Sequence, residues 1–121
     1  YATGLPPGVL AAALAALDVM QAESHLGGRA LANARLFGSL VGHDHVESAI
    51  VPVRYGKAET AMQASATLGE QGFLVIAIRP PTVPEGTARL RFTFTSNHKE
   101  ADIRRLAALV LKTLADAGAA K

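Results

Sequence analysis

The stretch FLVIAIRPPTVPEGTARLRFTFT, residues 73–95, decides the fold of this chain. Its first part, residues 73–78, is continuously apolar, which predicts a strand buried on both faces. Three prolines and a glycine in residues 80–87 predict a stiff connection, because each proline fixes φ and removes a backbone donor. Residues 88–95 then alternate apolar and polar side chains. The segment therefore predicts two strands joined by a rigid loop, the second strand having one core face and one polar face.

The residues before this stretch predict a strand and a helix. Residues 49–55 are rich in β-branched side chains, which favour a strand, and Pro52 indicates an edge position or a bulge. Residues 57–71 have apolar side chains at helical spacing, and Gly72 suits a left-handed helix end. A crossover through this helix would make the first two strands parallel. The third strand would then be antiparallel to both and inserted between them.

Helices are predicted at both ends of the chain. The alanine-rich residues 8–23 favour a helix, Gly27 and Gly28 predict a break, and residues 29–41 have a weaker helical pattern. A polar loop follows before the first strand. Asn97 and Glu100 have the spacing of a capping box at the start of a final helix. The apolar stripe of that helix is predicted to consist of Ile103, Leu106, Ala107, Val110 and Leu114.

This order of elements predicts an α+β fold, in which helices flank a small three-stranded sheet and one long helix connects at the amino terminus. Residues 1–41 are expected to form the connecting helices, and residues 42–121 a small carboxy-terminal α+β domain. Neither an internal repeat nor a low-complexity linker interrupts the chain.

Composition narrows the functional class. Half of the residues are apolar, 18% are charged and the formal charge is +2, which predicts one globular domain and no nucleic-acid surface. The chain lacks cysteine, which excludes thiolate metal sites and agrees with a reducing, cytoplasmic location. Its longest early apolar run, residues 9–20, is shorter than the roughly 20 residues that cross a bilayer, so we expect no membrane span. Because no methionine precedes Tyr1, the chain is expected to come from a longer protein.

Two arginines and a threonine are the main candidates for binding a ligand. Arg79 and Thr82 follow the predicted buried strand, and Arg91 lies on the polar face of the next one. A guanidinium group matches carboxylates and phosphates, so these residues could clamp an anionic substrate. The alternative is an ordinary solvated strand face.

Histidines are weaker candidates. His43 and His45 flank Asp44 in a pattern that can in principle bind zinc. No third ligand has convincing spacing, so we predict no metal site. His98 precedes the last helix and is interpreted as part of its capping segment.

The run IRPPTVPEGTARLRFTFTSNH, residues 78–98, resembles the signature near the carboxy terminus of the 8-amino-7-oxononanoate synthases, a branch of the α-oxoamine synthase family. Residues 1–17 are similar to the family segment just after its cofactor lysine. Residues 48–73 resemble the strand and helix that open its small domain. The sister enzymes, which include aminolevulinate synthase and aminoketobutyrate ligase, share the TVP and RLR elements more than Arg79 and the double proline after it. The resemblance therefore points to the biotin branch.

The resemblance implies a pyridoxal phosphate enzyme with a large cofactor domain, a small carboxy-terminal domain and an active site shared across a homodimer. The implied reaction is the decarboxylative condensation of L-alanine with pimeloyl-CoA or a pimeloyl-carrier protein in biotin biosynthesis. The alternatives are another α-oxoamine synthase, which uses a different amino acid or acyl thioester, and a non-catalytic anion-binding or assembly module.

Site residues follow from the same resemblance. It implies that Arg91 holds the carboxylate of the amino-acid substrate, that Thr82 touches substrate beside it, and that Arg79 favours the pimeloyl chain or its carrier. Thr3 resembles a position that reaches the cofactor phosphate of the opposite subunit. The structural alternatives are a surface ion pair for Arg91, a loop cap for Arg79, turn stabilisation for Thr82 and helix entry for Thr3.

The resemblance also implies that the lysine that binds the cofactor lies outside this chain. In such enzymes pyridoxal phosphate forms a Schiff base with a lysine, which is expected just upstream of Tyr1. The chain therefore contains no predicted catalytic residue and is expected to be inactive alone. None of its own lysines lies in the family's cofactor motif; these are Lys57, Lys99, Lys112 and Lys121.

Overall fold

The computed structural model describes residues 4–118, which form four helices and three strands. The predicted α+β class is confirmed. In chain order the elements are α1 (Pro7–Ala22), α2 (His25–Leu40), β1 (Ile50–Gly56), α3 (Ala58–Glu70), β2 (Ile76–Ile78), β3 (Ala88–Thr93) and α4 (Glu100–Asp116).

The strand order of the sheet is β1-β3-β2, and β3 pairs antiparallel with both neighbours. β1 and β2 are therefore parallel to each other, with the third strand inserted between them as the sequence predicts. Pro52 lies on the edge strand β1, where a residue without a backbone donor is tolerated. Arg91, on the central strand, has Pro52 and Ile76 as its partners in the two flanking strands.

One face of the sheet packs against α2, α3 and α4. Phe37 of α2 is fully buried, and its ring centre lies 4.6 Å from that of Phe92 and 5.1 Å from that of Phe94. Leu68 of α3 and Val110 of α4 are also fully buried. The predicted alternation in β3 is confirmed, because its apolar side chains enter this core while the intervening ones remain outside.

The prediction of a doubly buried strand over residues 73–78 is wrong. Only Ile76–Ile78 forms the strand β2, which lies at the edge of the sheet. Leu74 is 98% exposed and Ile76 is 50% exposed, whereas Val75 between them is buried. The reason is that helices cover only one face of the sheet, so alternate side chains of this apolar run face away from the core.

The predicted helix break is also displaced. Gly27 and Gly28 lie inside α2, and the break falls at Glu23 and Ser24, where α1 and α2 meet at 80°. An exposed glycine costs a helix only about 1 kcal/mol relative to alanine. Burial of the later part of α2, including Phe37, can offset that cost.

The capping box predicted from Asn97 and Glu100 does not form. Lys99 is the residue that precedes α4, and among residues 4–118 no side chain caps this helix. The backbone N–H of Asn97 instead donates to Thr95 Oγ1 over 3.3 Å. The Glu100 carboxylate forms a salt bridge with Arg104, one turn further along the helix.

Helix α1 buries none of its residues, although many of its side chains are apolar. Within residues 4–118, no single helix is long and apolar enough to cross a membrane. Helices α1 and α2 meet these criteria only when they are taken together as a bent pair. α2 contributes Ala34 and Phe37 to the same core as the sheet. The domain division after residue 41 stays a prediction.

Candidate functional site

The face of the sheet opposite the helices is the candidate functional surface, here called the open sheet face. Strand alternation and register assign its members, since residues paired across neighbouring strands share a face. Its residues are Ile50, Pro52, Arg54, Ile76, Ile78, Arg89, Arg91 and Thr93.

Arg91 occupies the middle of this face and is exposed. Within residues 4–118 the only salt bridge joins Arg104 to Glu100, so no described carboxylate pairs with Arg91. The ion pair considered as the structural alternative for Arg91 is thus not seen in this part of the chain. Its guanidinium group is available to an external anion.

The loop from β2 to β3 contains two turns. The backbone N–H of Thr82 donates to the Arg79 carbonyl over 3.1 Å, so the first turn is closed by backbone rather than by the threonine hydroxyl. The second turn is closed by Thr87, whose N–H and Oγ1 both donate to the Pro84 carbonyl, over 3.2 and 2.7 Å. Gly86 has φ +72°, a left-handed conformation that suits glycine at this place in a turn. The side chains of Arg79 and Thr82 are both exposed.

Arg89 connects this loop to the sheet. Its Nε donates to the Thr87 carbonyl over 3.0 Å, and the side chain is half-buried. Arg54 of β1 lies directly opposite Arg89 in the antiparallel pair. The two arginines line a cavity of about 280 Å³ together with His43 and three apolar residues, Val41, Pro52 and Val53. Sequence reasoning missed Arg54, although its place in the alternation of β1 was a usable signal.

The structure brings some of the predicted site residues together. Arg79 shares its turn with Thr82 and directly follows Ile78, which pairs with Arg89. Arg91 lies two residues after Arg89 in β3, on the same face of the sheet. Within residues 4–118 neither the Arg91 nor the Arg79 side chain forms a hydrogen bond, so both guanidinium groups are available as donors. Thr3 lies outside the described residues.

The histidines of residues 4–118 belong to no cluster of metal-binding side chains, and His98 forms a hydrogen bond with the backbone. Within residues 4–118 no group of three or more His, Cys, Asp or Glu side chains could hold a metal ion. His98 Nδ1 accepts a hydrogen bond from the Thr95 N–H over 3.2 Å, which agrees with its predicted place in the segment before α4. Asn33 of α2 fixes this segment, because its Nδ2 donates to the Thr95 and His98 carbonyls over 2.8 and 3.2 Å. Sequence reasoning missed Asn33.

The described lysines lie on or beside the helices. Lys57 and Lys99 precede α3 and α4, and Lys112 lies within α4. The open sheet face therefore offers guanidinium groups but no amine among residues 4–118.

Comparison with known proteins gives the family. Residues 1–110 match the family described as aminotransferase class I and II. The chain belongs to this family. It is 56% identical over 110 residues to the 8-amino-7-oxononanoate synthase of Beijerinckia indica subsp. indica, covering 91% of the chain and 28% of that relative. It is 52% identical over 116 residues to the synthase of the same name from Granulibacter bethesdensis, covering 96% of the chain and 30% of that relative. The chain thus spans less than a third of the length of these relatives.

Solved structures show where this fold recurs. The crystal structure of 8-amino-7-oxononanoate synthase from Francisella tularensis matches with a TM-score of 0.78 and 26% identity, over 96% of the chain and 35% of that protein. Serine palmitoyltransferase from S. paucimobilis, with bound PLP and myriocin, matches with a TM-score of 0.86 and 26% identity, over 98% of the chain and 31% of that protein. Both matches confirm the predicted fold. They do not separate the two enzymes, because the same fold serves both.

Proposed function

We propose that this family member is the carboxy-terminal part of an 8-amino-7-oxononanoate synthase. The full protein would condense L-alanine with pimeloyl-CoA or a pimeloyl-carrier protein, with loss of carbon dioxide, in biotin biosynthesis. The observation that supports this most is the 52–56% identity to synthases of that name, across more than nine-tenths of this chain. Identity to the serine palmitoyltransferase is 26%, the same as to the Francisella 8-amino-7-oxononanoate synthase, so the support comes from the curated relatives and not from the solved structures.

The cofactor in this proposal is pyridoxal phosphate, which supplies an electron sink for the carbanion formed at the amino acid. The open sheet face fits a reaction whose substrates are anions. It presents Arg54, Arg89 and Arg91, and within residues 4–118 no carboxylate neutralises them. A cationic surface beside a rigid loop suits the binding and orientation of carboxylates and phosphates.

Individual residues are assigned on the same basis. Arg91, central and unpaired among residues 4–118, would hold the carboxylate of L-alanine. Thr82, whose hydroxyl is not needed to close its turn, would contact substrate beside it. Arg79 would contact the acyl donor, and Thr3 would reach the cofactor phosphate of the other subunit of a homodimer.

The covalent lysine belongs, in this proposal, to a part of the protein that the present sequence does not include. The isolated chain would then have no synthase activity. Turnover of L-alanine and pimeloyl-CoA by the purified 121-residue chain would contradict this. The lack of cysteine supports a reducing compartment, so a cytoplasmic location is part of the same proposal.

The role of Arg91 provides the main experiment. In the full-length protein, Arg91→Gln should lower kcat/KM for L-alanine by roughly 10- to 150-fold, the loss expected for one hydrogen bond to a charged group. Arg91→Lys should recover only part of the activity, because an ammonium group lacks the planar fork. Arg104→Gln is the control, since Arg104 lies on α4 in an exposed pair. Equal activity of Arg91→Gln and the control would remove the proposed role.

A second candidate is another synthase of the same type. It is favoured by the TM-score of 0.86 to serine palmitoyltransferase, which exceeds the 0.78 found for the Francisella enzyme. Assays of the full-length protein with L-alanine, glycine and L-serine, each with pimeloyl-CoA and palmitoyl-CoA, would separate the two. The first proposal expects turnover with L-alanine and pimeloyl-CoA only.

A further inference from the structure

Two arginines stand directly opposite each other on the open sheet face. Arg54 of β1 pairs with Arg89 of β3, and side chains in such antiparallel pairs have Cβ atoms about 4.5–5.5 Å apart. Like charges in this position are destabilising. The register shift between Arg54 and Gly56, just beyond the pair, is a bulge of the kind that reorients side chains near binding sites. An anion bound between the two guanidinium groups would relieve their repulsion.

The described part of the chain supplies no such anion. Within residues 4–118 the single salt bridge joins Glu100 and Arg104 of α4 and includes neither Arg54 nor Arg89. Arg89 uses its Nε to bind the Thr87 carbonyl, which fixes the side chain and leaves its terminal nitrogens without a hydrogen-bond partner among residues 4–118. Arg54 has no side-chain hydrogen bond among the same residues.

The same two side chains line a cavity with His43, which can offer an imidazole N–H. The remaining lining residues are the apolar Val41, Pro52 and Val53. Pockets for whole small molecules occupy about 300–1,000 Å³, and this cavity has about 280 Å³. The volume lies just below this range, so the cavity has room for an anionic group, and its two guanidinium groups favour one.

We propose that Arg54, Arg89 and His43 form a phosphate-ester site, separate from the carboxylate site at Arg91. Two guanidinium forks match the several oxygens of a phosphate better than the two of a carboxylate. The inference rests on the proposed function for its ligand source. The acyl donor there is a thioester of CoA or of a carrier protein, and both carriers bear phosphate esters. The site would hold a phosphate of the carrier.

Binding to the full-length protein tests this directly. Isothermal titration with coenzyme A should show about tenfold weaker binding for Arg54→Gln and for Arg89→Gln than for the unaltered protein. The double variant should lose more, and Arg104→Gln should bind as the unaltered protein does. Dephospho-coenzyme A identifies the bound group: the loss disappears with this probe if the 3′-phosphate is bound and persists if the pyrophosphate is bound. The proposal is overturned if the double variant keeps both the affinity for coenzyme A and the KM for the pimeloyl-carrier protein of the unaltered protein.

Stability measurements separate binding from a structural role. Arg54→Gln removes a like-charge contact, so its thermal midpoint should equal or exceed that of the unaltered protein. A thermal midpoint low enough to account for the weaker binding would overturn the ligand role. Arg54→Lys keeps the positive charge but lacks the planar guanidinium group, so this variant should still bind coenzyme A more weakly than the unaltered protein.

Turnover assays keep this proposal distinct from the proposed function. Weaker coenzyme A binding in a protein without synthase activity would support the phosphate site and reject the synthase assignment. Synthase activity with unchanged coenzyme A affinity and unchanged KM for the pimeloyl-carrier protein would reject the phosphate site and support the synthase assignment. In an active enzyme, the arginine variants should raise KM for pimeloyl-CoA alone or for the pimeloyl-carrier protein alone. The donor whose KM rises identifies the carrier, and KM for L-alanine should stay constant.

Discussion

The phenol oxygen of Tyr55 lies 2.7 Å from Oγ1 of Thr113, a hydrogen bond that joins the end of β1 to α4. Thr113 Oγ1 also donates to the Val110 carbonyl over 2.9 Å, which leaves the Tyr55 hydroxyl as the donor of the shared bond. Tyr55 is buried, and burial raises the pKa of its phenol above the ordinary value.

This raised pKa predicts a loss of stability in alkaline solution. The phenol of Tyr55 ionises in the unfolded chain near pH 10.0 but only at higher pH in the folded one. Its stabilising contribution is therefore complete below pH 10.0 and is lost as the pH rises through the folded pKa. Tyr55→Phe should cost about 1 kcal/mol at neutral pH and should lose less stability above pH 10.0 than the unaltered chain. Urea unfolding of both proteins, from neutral pH to above pH 10.0, measures this difference. The same pH dependence of the free energy of unfolding in both proteins would contradict the prediction.

The sequence predicted the elements whose periodicity is local. Alternation along residues 88–95 correctly placed Phe92 in the core and Arg91 on the opposite face. The left-handed glycine after α3 was also correct, since Gly72 has φ +85°. These features depend on side chains a few residues apart, which a single sequence displays directly.

Three features that the sequence did not predict depend on distant residues. The apolar run at residues 73–78 indicated burial, but only the strand order shows that β2 is an edge with one uncovered face. The pairing of Arg54 with Arg89 was not predicted, because it is set by the register of β1 against β3, which no local pattern states. The contact of Asn33 with residues more than sixty positions away was invisible for the same reason.

Gly38 in α2 should tolerate no side chain. A Cβ atom there would lie 2.5 Å from Val46 Cγ2 and 2.7 Å from the His43 carbonyl oxygen, and the latter cannot move without shifting the loop. We expect Gly38→Ala to destabilise the chain by about 1–3 kcal/mol, as overpacking does. Thermal and urea unfolding measure the effect.

The matched control for that prediction is Gly69, which lies in α3 with open space around its Cβ position. Gly69→Ala should stabilise by roughly 0.5–1 kcal/mol, because alanine favours the helix and no contact opposes it. Equal effects of the two substitutions would show that the packing around Gly38 is not as described.

Phe37 should be the most costly aromatic residue to remove. It is fully buried between Phe92 and Phe94, so Phe37→Ala would leave a cavity at the junction of α2 and the sheet. We expect a loss of about 3–5 kcal/mol in the free energy of unfolding. Leu111→Ala is the control, since that side chain is 47% exposed on α4 and should cost under about 1 kcal/mol. Similar losses for both would mean that Phe37 is not part of a packed core.

If the synthase proposal holds, Arg79 should recognise the carboxylate at the end of the acyl chain that is remote from the thioester. Its side chain is exposed in the turn after β2, and a pimeloyl chain ends in a carboxylate that a guanidinium fork can bind. Arg79→Gln in the full-length protein should lower kcat/KM for pimeloyl-CoA by roughly 10- to 150-fold. The same substitution should change kcat/KM for heptanoyl-CoA, which has the same chain length without the carboxylate, by less than about threefold.

Comparing these two donors separates recognition of the terminal carboxylate from a general effect on the loop. A structural role for Arg79 would reduce activity with both donors alike, since Thr82 shares its turn and would be displaced with it. Arg104→Gln, on the exposed surface of α4, should leave both activities unchanged. A selective loss with pimeloyl-CoA would assign Arg79 to the distal carboxylate, because coenzyme A is common to both donors and its phosphates cannot account for a difference between them.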